Sequence, residues 1–265
     1  MTKVAKVKVE KDLKDAIVKA VDSIGGFKKF IKKGEVVLLK PNFNTADPFP
    51  ASTDFEFLKR VVELVYEADP KMVMIGDSST VSTNTRRVME KLRIFSLEKM
   101  ERPPRIYVFE ERPWVKKEIP DGKYLKKVYV THYLDRADKL ILLPCLKTHF
   151  LSQFTGSLKL SMGFMRPYHR VHFHLKHLQE KIAELNKIIN PDLIIADVRK
   201  SFITKGPNEG KLVEPNLILA STDRVAIDVE GIKIIQSFRG NSLKNIDPWE
   251  LPQIKKAVEL GIGKI

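Results

Sequence analysis

The chain has 265 residues, 43% of them hydrophobic and 30% charged, with one cysteine and a formal net charge of +14. This is the composition of a globular protein with room for a sizeable core, and it excludes an intramolecular disulfide or a four-cysteine cluster built from this chain alone. No apolar run reaches membrane-spanning length and Met1-Thr-Lys-Val lacks a secretory apolar segment, so a cytoplasmic protein without membrane association is expected. The basic excess comes from lysines interspersed with acids along the whole sequence. Such a surface suits anionic ligands, and without a basic stripe or a nucleic-acid module a nucleic-acid partner is not expected.

The alternating residues from Val4 to Val9 predict a strand, and Leu13 to Ile31 carries helical spacing broken at Gly25-Gly26. Glu35 to Lys40 is a short apolar run, as expected of a strand covered on both faces. The three prolines of residues 41–50 then force an irregular loop. Ser52 or Thr53 is placed to cap a helix to Tyr66, with Glu56 completing a capping box. Met72 to Ile75 predicts the next strand, Ser82 to Met100 a helix, Ile106 to Phe109 a strand, and residues 112–130 a charged hairpin or flap. A helix over Thr131 to Ala137 precedes a strand at Leu140 to Leu143. Further along, Leu175 to Ile189 predicts a helix, and Leu193 to Ala196 and Leu217 to Ala220 predict strands. Helices from Asp223 or Thr222 to Ile235 and from Pro252 to Leu260 finish the chain. This alternation predicts a single α/β domain over residues 1–265, a doubly wound and mostly parallel sheet with helices on both faces and a hairpin insertion.

Polar residues follow four of these strands: Lys40, Asn42 and Asn44; Asp77, Ser78 and Ser79; Lys147 and His149; Asp197 and, further on, Asn208. In a parallel sheet such exits share one edge, where open α/β sheets bind ligands. The same residue types are also ordinary loop formers. Five of the six histidines lie between His149 and His177. No regular conformation brings His169, His172, His174 and His177 together, but His149 with His172 and His174 offers a metal or anion site; the alternative is helix capping and solvation. Thr155-Gly156-Ser157 before Lys159 has the form of a phosphate-binding turn with exposed amides. Cys145 reads as a small buried residue rather than a nucleophile. Walker, G-x-G-x-x-G, H-E-x-x-H and G-x-S-x-G patterns are absent.

Leu38-Leu-Lys-Pro-Asn-Phe-Asn44, Ile75-Gly-Asp-Ser78, Leu143-Pro-Cys-Leu-Lys-Thr-His149 with Thr155-Gly-Ser-Leu-Lys159, Gly163, Pro191 to Asp197, Gly206-Pro207 and Ala220 to Asp228 together resemble domain-of-unknown-function family 362, in order from about residue 35 to 235. Many members of that family are described as iron–sulfur proteins through a ferredoxin-like segment. The single cysteine here supplies no such cluster, so that label is not expected to transfer. Leu160 and Cys145 depart from the family's usual Asn and Lys. More distantly, His149-x9-Lys159 around Phe154-Thr-Gly-Ser resembles the segment of lactate racemase-like enzymes that binds a nickel-pincer nucleotide. There a histidine contacts the cofactor, a lysine holds it covalently and a later histidine ligates nickel. That resemblance implies His149 and Lys159 in the first two roles and His172 or His174 in the third. Asn42-Phe43-Asn44 and Gly76-Asp77-Ser78 stand where those enzymes carry different clusters.

The resulting expectation is an anion, nucleotide or metal-cofactor site at the strand C-terminal edge of a racemase- or epimerase-like enzyme. Lys40 and Lys147 would neutralise the ligand, His149 would be acid/base or ligand, and Lys159 nucleophile or anchor. Asn42, Asn44, Ser78, Thr155 and Gly156 would line the site, with Asp77 and Asp197 orienting the bases or holding a hard cation. The alternative is a non-catalytic binding or electron-transfer accessory module.

Overall fold

The computed structural model describes residues 3–263. β1 (Ala5–Lys8) leads to α1 (Leu13–Asp22), whose first amides are accepted by the Asp12 carboxylate. Gly25 and Gly26, both at positive φ, end it and turn the chain into the short α2 (Phe27–Phe30). Two strand–helix units and a third strand follow: β2 (Val36–Lys40), α3 (Phe55–Tyr66), β3 (Met72–Asp77), α4 (Thr85–Lys91) and β4 (Arg105–Val108). After the hairpin of β5 (Trp114–Glu118) and β6 (Lys127–Thr131), β7 (Lys139–Leu142) re-enters the sheet. A small hairpin, β8 (Lys147–His149) and β9 (Gln153–Thr155), opens into the short helices α5 (Ser157–Leu160), α6 (Pro167–Phe173) and α7 (Leu178–Leu185). β10 (Leu193–Val198), the two-residue pair β11 (Ser201–Phe202) and β12 (Leu212–Val213), β13 (Leu217–Ser221), α8 (Arg224–Gln236) and α9 (Pro252–Glu259) complete the order.

The central sheet runs β1-β13-β10-β7-β2-β3-β4. Strands β10, β7, β2, β3 and β4 pair in parallel, and β13 is antiparallel to both of its neighbours. Alternate side chains divide into two cores. Leu38, Met74, Leu140 and Ile194 face α7, α8 and α9, whereas Val37, Leu39, Ile75 and Ile195 face α1, α3 and α4. This is the mostly parallel, two-faced α/β sheet that the alternation of elements predicts. The chain steps from β2 to β3 to β4 in one direction and from β7 to β10 in the other. The reversal falls between β2 and β7, where a doubly wound sheet leaves a crevice beyond its strand ends.

Several local expectations are corrected. The cap of α3 is Asp54, whose Oδ1 accepts from Phe57 N at 3.0 Å; Thr53 Oγ1 instead accepts from Asn42 N. The helix expected over Ser82–Met100 is α4 followed by a 3-10 turn at Ile94–Lys99, with Arg93 at φ 62° between them. Residues His132–Asp135 form a 3-10 turn rather than a helix to Ala137. The helix expected from Leu175 begins only at Leu178, and α6 precedes it, because His177 at φ 55° separates the two.

The β5–β6 hairpin packs away from the crevice, against α7. Glu184, fully buried on α7, accepts from the amides of Lys123, Tyr124 and Leu125 at 2.7–2.9 Å and so fixes the hairpin turn. His177 stacks on Tyr124 and His169 meets Tyr129 edge-on, which accounts for two of the clustered histidines as packing groups. Removing the carboxylate strands three amides. Glu184→Ala is therefore expected to cost about 3 kcal/mol and, in hydrogen-exchange measurements, to release the amides of residues 123–125 while β2 and β7 stay protected.

Candidate functional site

A cavity of about 650 Å³ opens at the crevice between β2 and β7, a volume typical of small-molecule sites. Of the residues expected there from the sequence, Lys40, Asn42, Asn44, Asp77, Ser78, Lys147, His149, Thr155, Gly156, Lys159 and His174 all line it. Asp197 and His172 do not. Asp197 is fully buried under β10's end, where Arg199 Nη2 donates to it at 2.7 Å and also reaches Asp54. His172 is exposed on α6, edge-on to Tyr168. His149, His172 and His174 therefore do not converge, and among the described residues no group of three or more His, Cys, Asp or Glu side chains is placed to hold a metal.

The floor is an ion pair. Lys40 Nζ lies 2.7 Å from Asp77 Oδ1, with both side chains almost wholly removed from water. Asp77 Oδ2 accepts from Phe43 N at 2.6 Å, so the two strand ends and the loop after β2 are tied through one carboxylate. Lys40 Nζ also donates to Pro41 O. A Cβ at Gly163 would fall on Lys40 Nζ and Asp77 Oδ1, which leaves glycine as the residue that lets the chain cross this pair. The charge of Lys40 is thus already met by Asp77, contrary to the expectation that Lys40 is free to neutralise a ligand.

Three further cations have no such partner. Lys147, 1% exposed, donates only to the carbonyls of Pro50 and Ala51, at 2.7 and 2.5 Å. Arg170, a residue the sequence reading passed over, reaches from α6 to the carbonyls of Ser78, Ser79 and Met165 and to Ser78 Oγ. The Lys159 amine on α5 has no hydrogen bond or ion pair among the described residues, and neither Lys147 nor Arg170 has an ion pair there. Burial, with Lys147 and Arg170 nearby, pulls the Lys159 amine down to about 7. Burial likewise lowers Lys147 to about 8 and Arg170 to about 10.

His149 ends β8 with its Nδ1 accepting from the amides of Leu151 and Ser152, at 3.0 and 3.2 Å. Two donors aimed at Nδ1 put the ring proton on Nε2. Burial and the neighbouring Lys159, His174 and Lys147 lower its pKa to about 2, so the ring is neutral and serves as an N–H donor. His174 has the opposite arrangement. Its Nδ1 lies 2.7 Å from Arg170 O and donates to it, so the neutral form of the ring carries its lone pair on Nε2. Cys145 lines the cavity with its thiol pushed up to about 11 by burial, so it stays protonated, in keeping with a small buried residue.

At the end of the turn Thr155-Gly156-Ser157, the amides of Ser157 and Leu158 are engaged from within. Asp228, fully buried on α8, accepts from Ser157 N at 2.6 Å, Ser157 Oγ at 2.8 Å and Leu158 N at 3.0 Å. A Cβ at Gly156 would strike that carboxylate. An internal carboxylate thus occupies two of the amides at the start of α5, which carries Lys159, and anchors that helix. Burial pushes Asp228 up to about 7 against those three hydrogen bonds. Thr155 Oγ1 is buried and has no partner among the described residues.

The chain matches the domain-of-unknown-function family 362 over residues 37–233. It belongs to that family. A thylakoid-associated protein of Synechocystis is 28% identical over 251 residues, covering 92% of this chain and 73% of its own length. Among solved structures, the lactate racemase apoprotein of Thermoanaerobacterium thermosaccharolyticum superposes with a TM-score of 0.55 at 13% identity over 88% of this chain. A Thermotoga maritima protein does so with a TM-score of 0.50 at 10% identity over 96%. Both likenesses are of fold, and this chain spans 63% and 60% of those two structures.

Since Asp228 is the only acceptor for the Ser157 and Leu158 amides among the described residues, Asp228→Ala leaves buried donors unmet. Thermal or denaturant unfolding is expected to show a loss of about 2–3 kcal/mol. A neutral result would mean that another acceptor holds α5.

Proposed function

We propose that the cavity is the ligand site of an enzyme-like protein acting on a small anionic molecule or nucleotide, with Lys159 as nucleophile or covalent anchor. One observation carries this reading: Lys147, Lys159 and Arg170 converge on one cavity and none of them is ion-paired among the described residues, Asp77 and Glu110 acting on Arg170 only from a distance. A buried cation without a counter-charge is costly, and an anion entering from solvent removes that cost. Asn44 and the unpartnered Thr155 Oγ1 supply polar contacts, and His149 Nε2–H can donate to a ligand oxygen.

A racemase- or epimerase-like activity is the finer reading. A nickel-pincer nucleotide finds part of a matching donor set here. Lys159 offers a neutral amine for covalent attachment, His174 Nε2 a lone pair for a metal, and the cations a place for phosphate. His149, with its proton on Nε2, suits a contact to such a group rather than ligation of its metal. When bound, that cofactor would supply inversion at a stereocentre. The chain's own residues would orient the anion and hold a proton at His149 Nε2. In a purely binding or electron-transfer accessory module, the lowered basicity of Lys159 would have no chemical use.

An anionic aldehyde separates these readings. With pyridoxal 5′-phosphate followed by borohydride, peptide mass spectrometry is expected to find Lys159 as the principal modified lysine. Its rate should rise through about pH 7 as the ammonium loses its proton. Inorganic phosphate should slow the reaction, and Lys159→Arg should abolish it. Labelling scattered over surface lysines and indifferent to phosphate would contradict the proposal.

A further inference from the structure

Seven large apolar side chains are well exposed among the described residues, and five of them line this one cavity. Phe150 (70% exposed) and Leu151 come from the β8–β9 turn, Val171 and Leu175 (71% exposed) from α6 and the residues after it, and Val81 from the loop after β3. Tyr168, a sixth, lies on α6 as well. These segments are far apart in sequence, so their meeting at one opening is produced by the fold. Scattered single apolar residues on a surface need no explanation, but a collection around one mouth does.

The cavity therefore has two zones. Its depth holds the Lys40–Asp77 pair with the unpaired cations Lys147, Lys159 and Arg170; its rim is hydrocarbon and aromatic. Phe150 stacks parallel to His149, with centroids 5.0 Å apart, so the last polar donor of the deep zone adjoins the first ring of the rim. A simple inorganic anion or a short hydroxy acid would satisfy the depth and leave the rim in water. A purely apolar molecule would satisfy the rim and leave the cations unmet.

Building on the anion site argued above, we propose that the ligand is amphiphilic. Its phosphate or carboxylate head sits among Lys147, Lys159 and Arg170, and a hydrocarbon chain or aromatic body lies across Phe150, Leu151, Val171 and Leu175. The rim then acts as a specificity element: it selects for the apolar body, while the cations select for the charge.

The test is a calorimetric titration of the full chain with methyl phosphate and with n-octyl phosphate below its micellar concentration. The longer ester is expected to bind about tenfold tighter or more, since each buried methylene contributes favourably. The double variant Phe150→Ser with Leu175→Ser, at two highly exposed positions, should keep the affinity for methyl phosphate and lose most of that advantage. Equal affinities for the two esters would overturn the amphiphile proposal and leave the anion site standing. Failure of both esters to bind would overturn the anion site itself. A chain-length gain undiminished in the double variant, or a self-association of the protein that the variant abolishes, would assign the rim to something else and overturn the proposal.

Discussion

Lys40 and Asp77 meet across the ends of two neighbouring parallel strands, 2.7 Å apart and hidden from water, and the arrangement of the cavity depends on that contact. A buried ion pair offers little net stability, yet losing either partner leaves a naked charge in the interior. Here the carboxylate also holds the Phe43 amide, and the glycine at position 163 lets a third segment cross above it. Asp77 is ion-paired to Lys40; its charge also acts on Arg170, but not as an ion pair, and it does not reach Lys147 or Lys159. Burial without an ion pair lowers the proton affinity of Lys147 and Lys159, and the hydrogen bonds of the Arg170 guanidinium among the described residues go to carbonyl and hydroxyl oxygens.

This has a consequence for stability. The folded lysines titrate near 7 and 8, against 10.5 for a solvated lysine, so the unfolded chain holds more protons between those values. These two groups make the fold more stable as pH rises from about 7 towards 10.5, and a bound anion, by restoring their proton affinity, flattens that slope. The internal carboxylates serve another purpose. Asp228 and Glu184 each gather backbone donors at the start of a turn or helix, so that α5 and the β5–β6 turn are positioned by side chains from distant helices. Asp228 and Glu184 thus organise backbone, while Lys147, Lys159 and Arg170 face the cavity.

Much of this was legible in the sequence. The short apolar runs at Val36–Lys40, Met72–Asp77, Lys139–Leu142 and Leu193–Val198 have few conformational alternatives, and parallel pairing puts their polar exits on one edge. Eleven expected site residues consequently meet in one cavity. What the sequence hid is what depends on long-range partners. Asp228 lies 71 positions from the Ser157 amide it holds, and Arg170 lies 92 from Ser78. Local spacing carries no trace of either contact, which is why a turn whose Ser157 amide is taken looked open for phosphate. Arg170 stood among four histidines that drew attention for their type, although two of those pack on tyrosines of the hairpin. Asp197 lies near the end of β10, as Lys40 and Asp77 lie at the ends of β2 and β3, but a residue two positions on, Arg199, turns back to neutralise it.

The measurement that bears most directly on the central claim is the titration of the Lys159 side chain, followed by lysine-selective NMR with and without inorganic phosphate. The account predicts a midpoint near 7 in the free protein and a clear upward displacement when phosphate is present. A midpoint close to that of a solvated lysine, unmoved by phosphate, would contradict it, because the cations of this cavity would then already have their counter-charges.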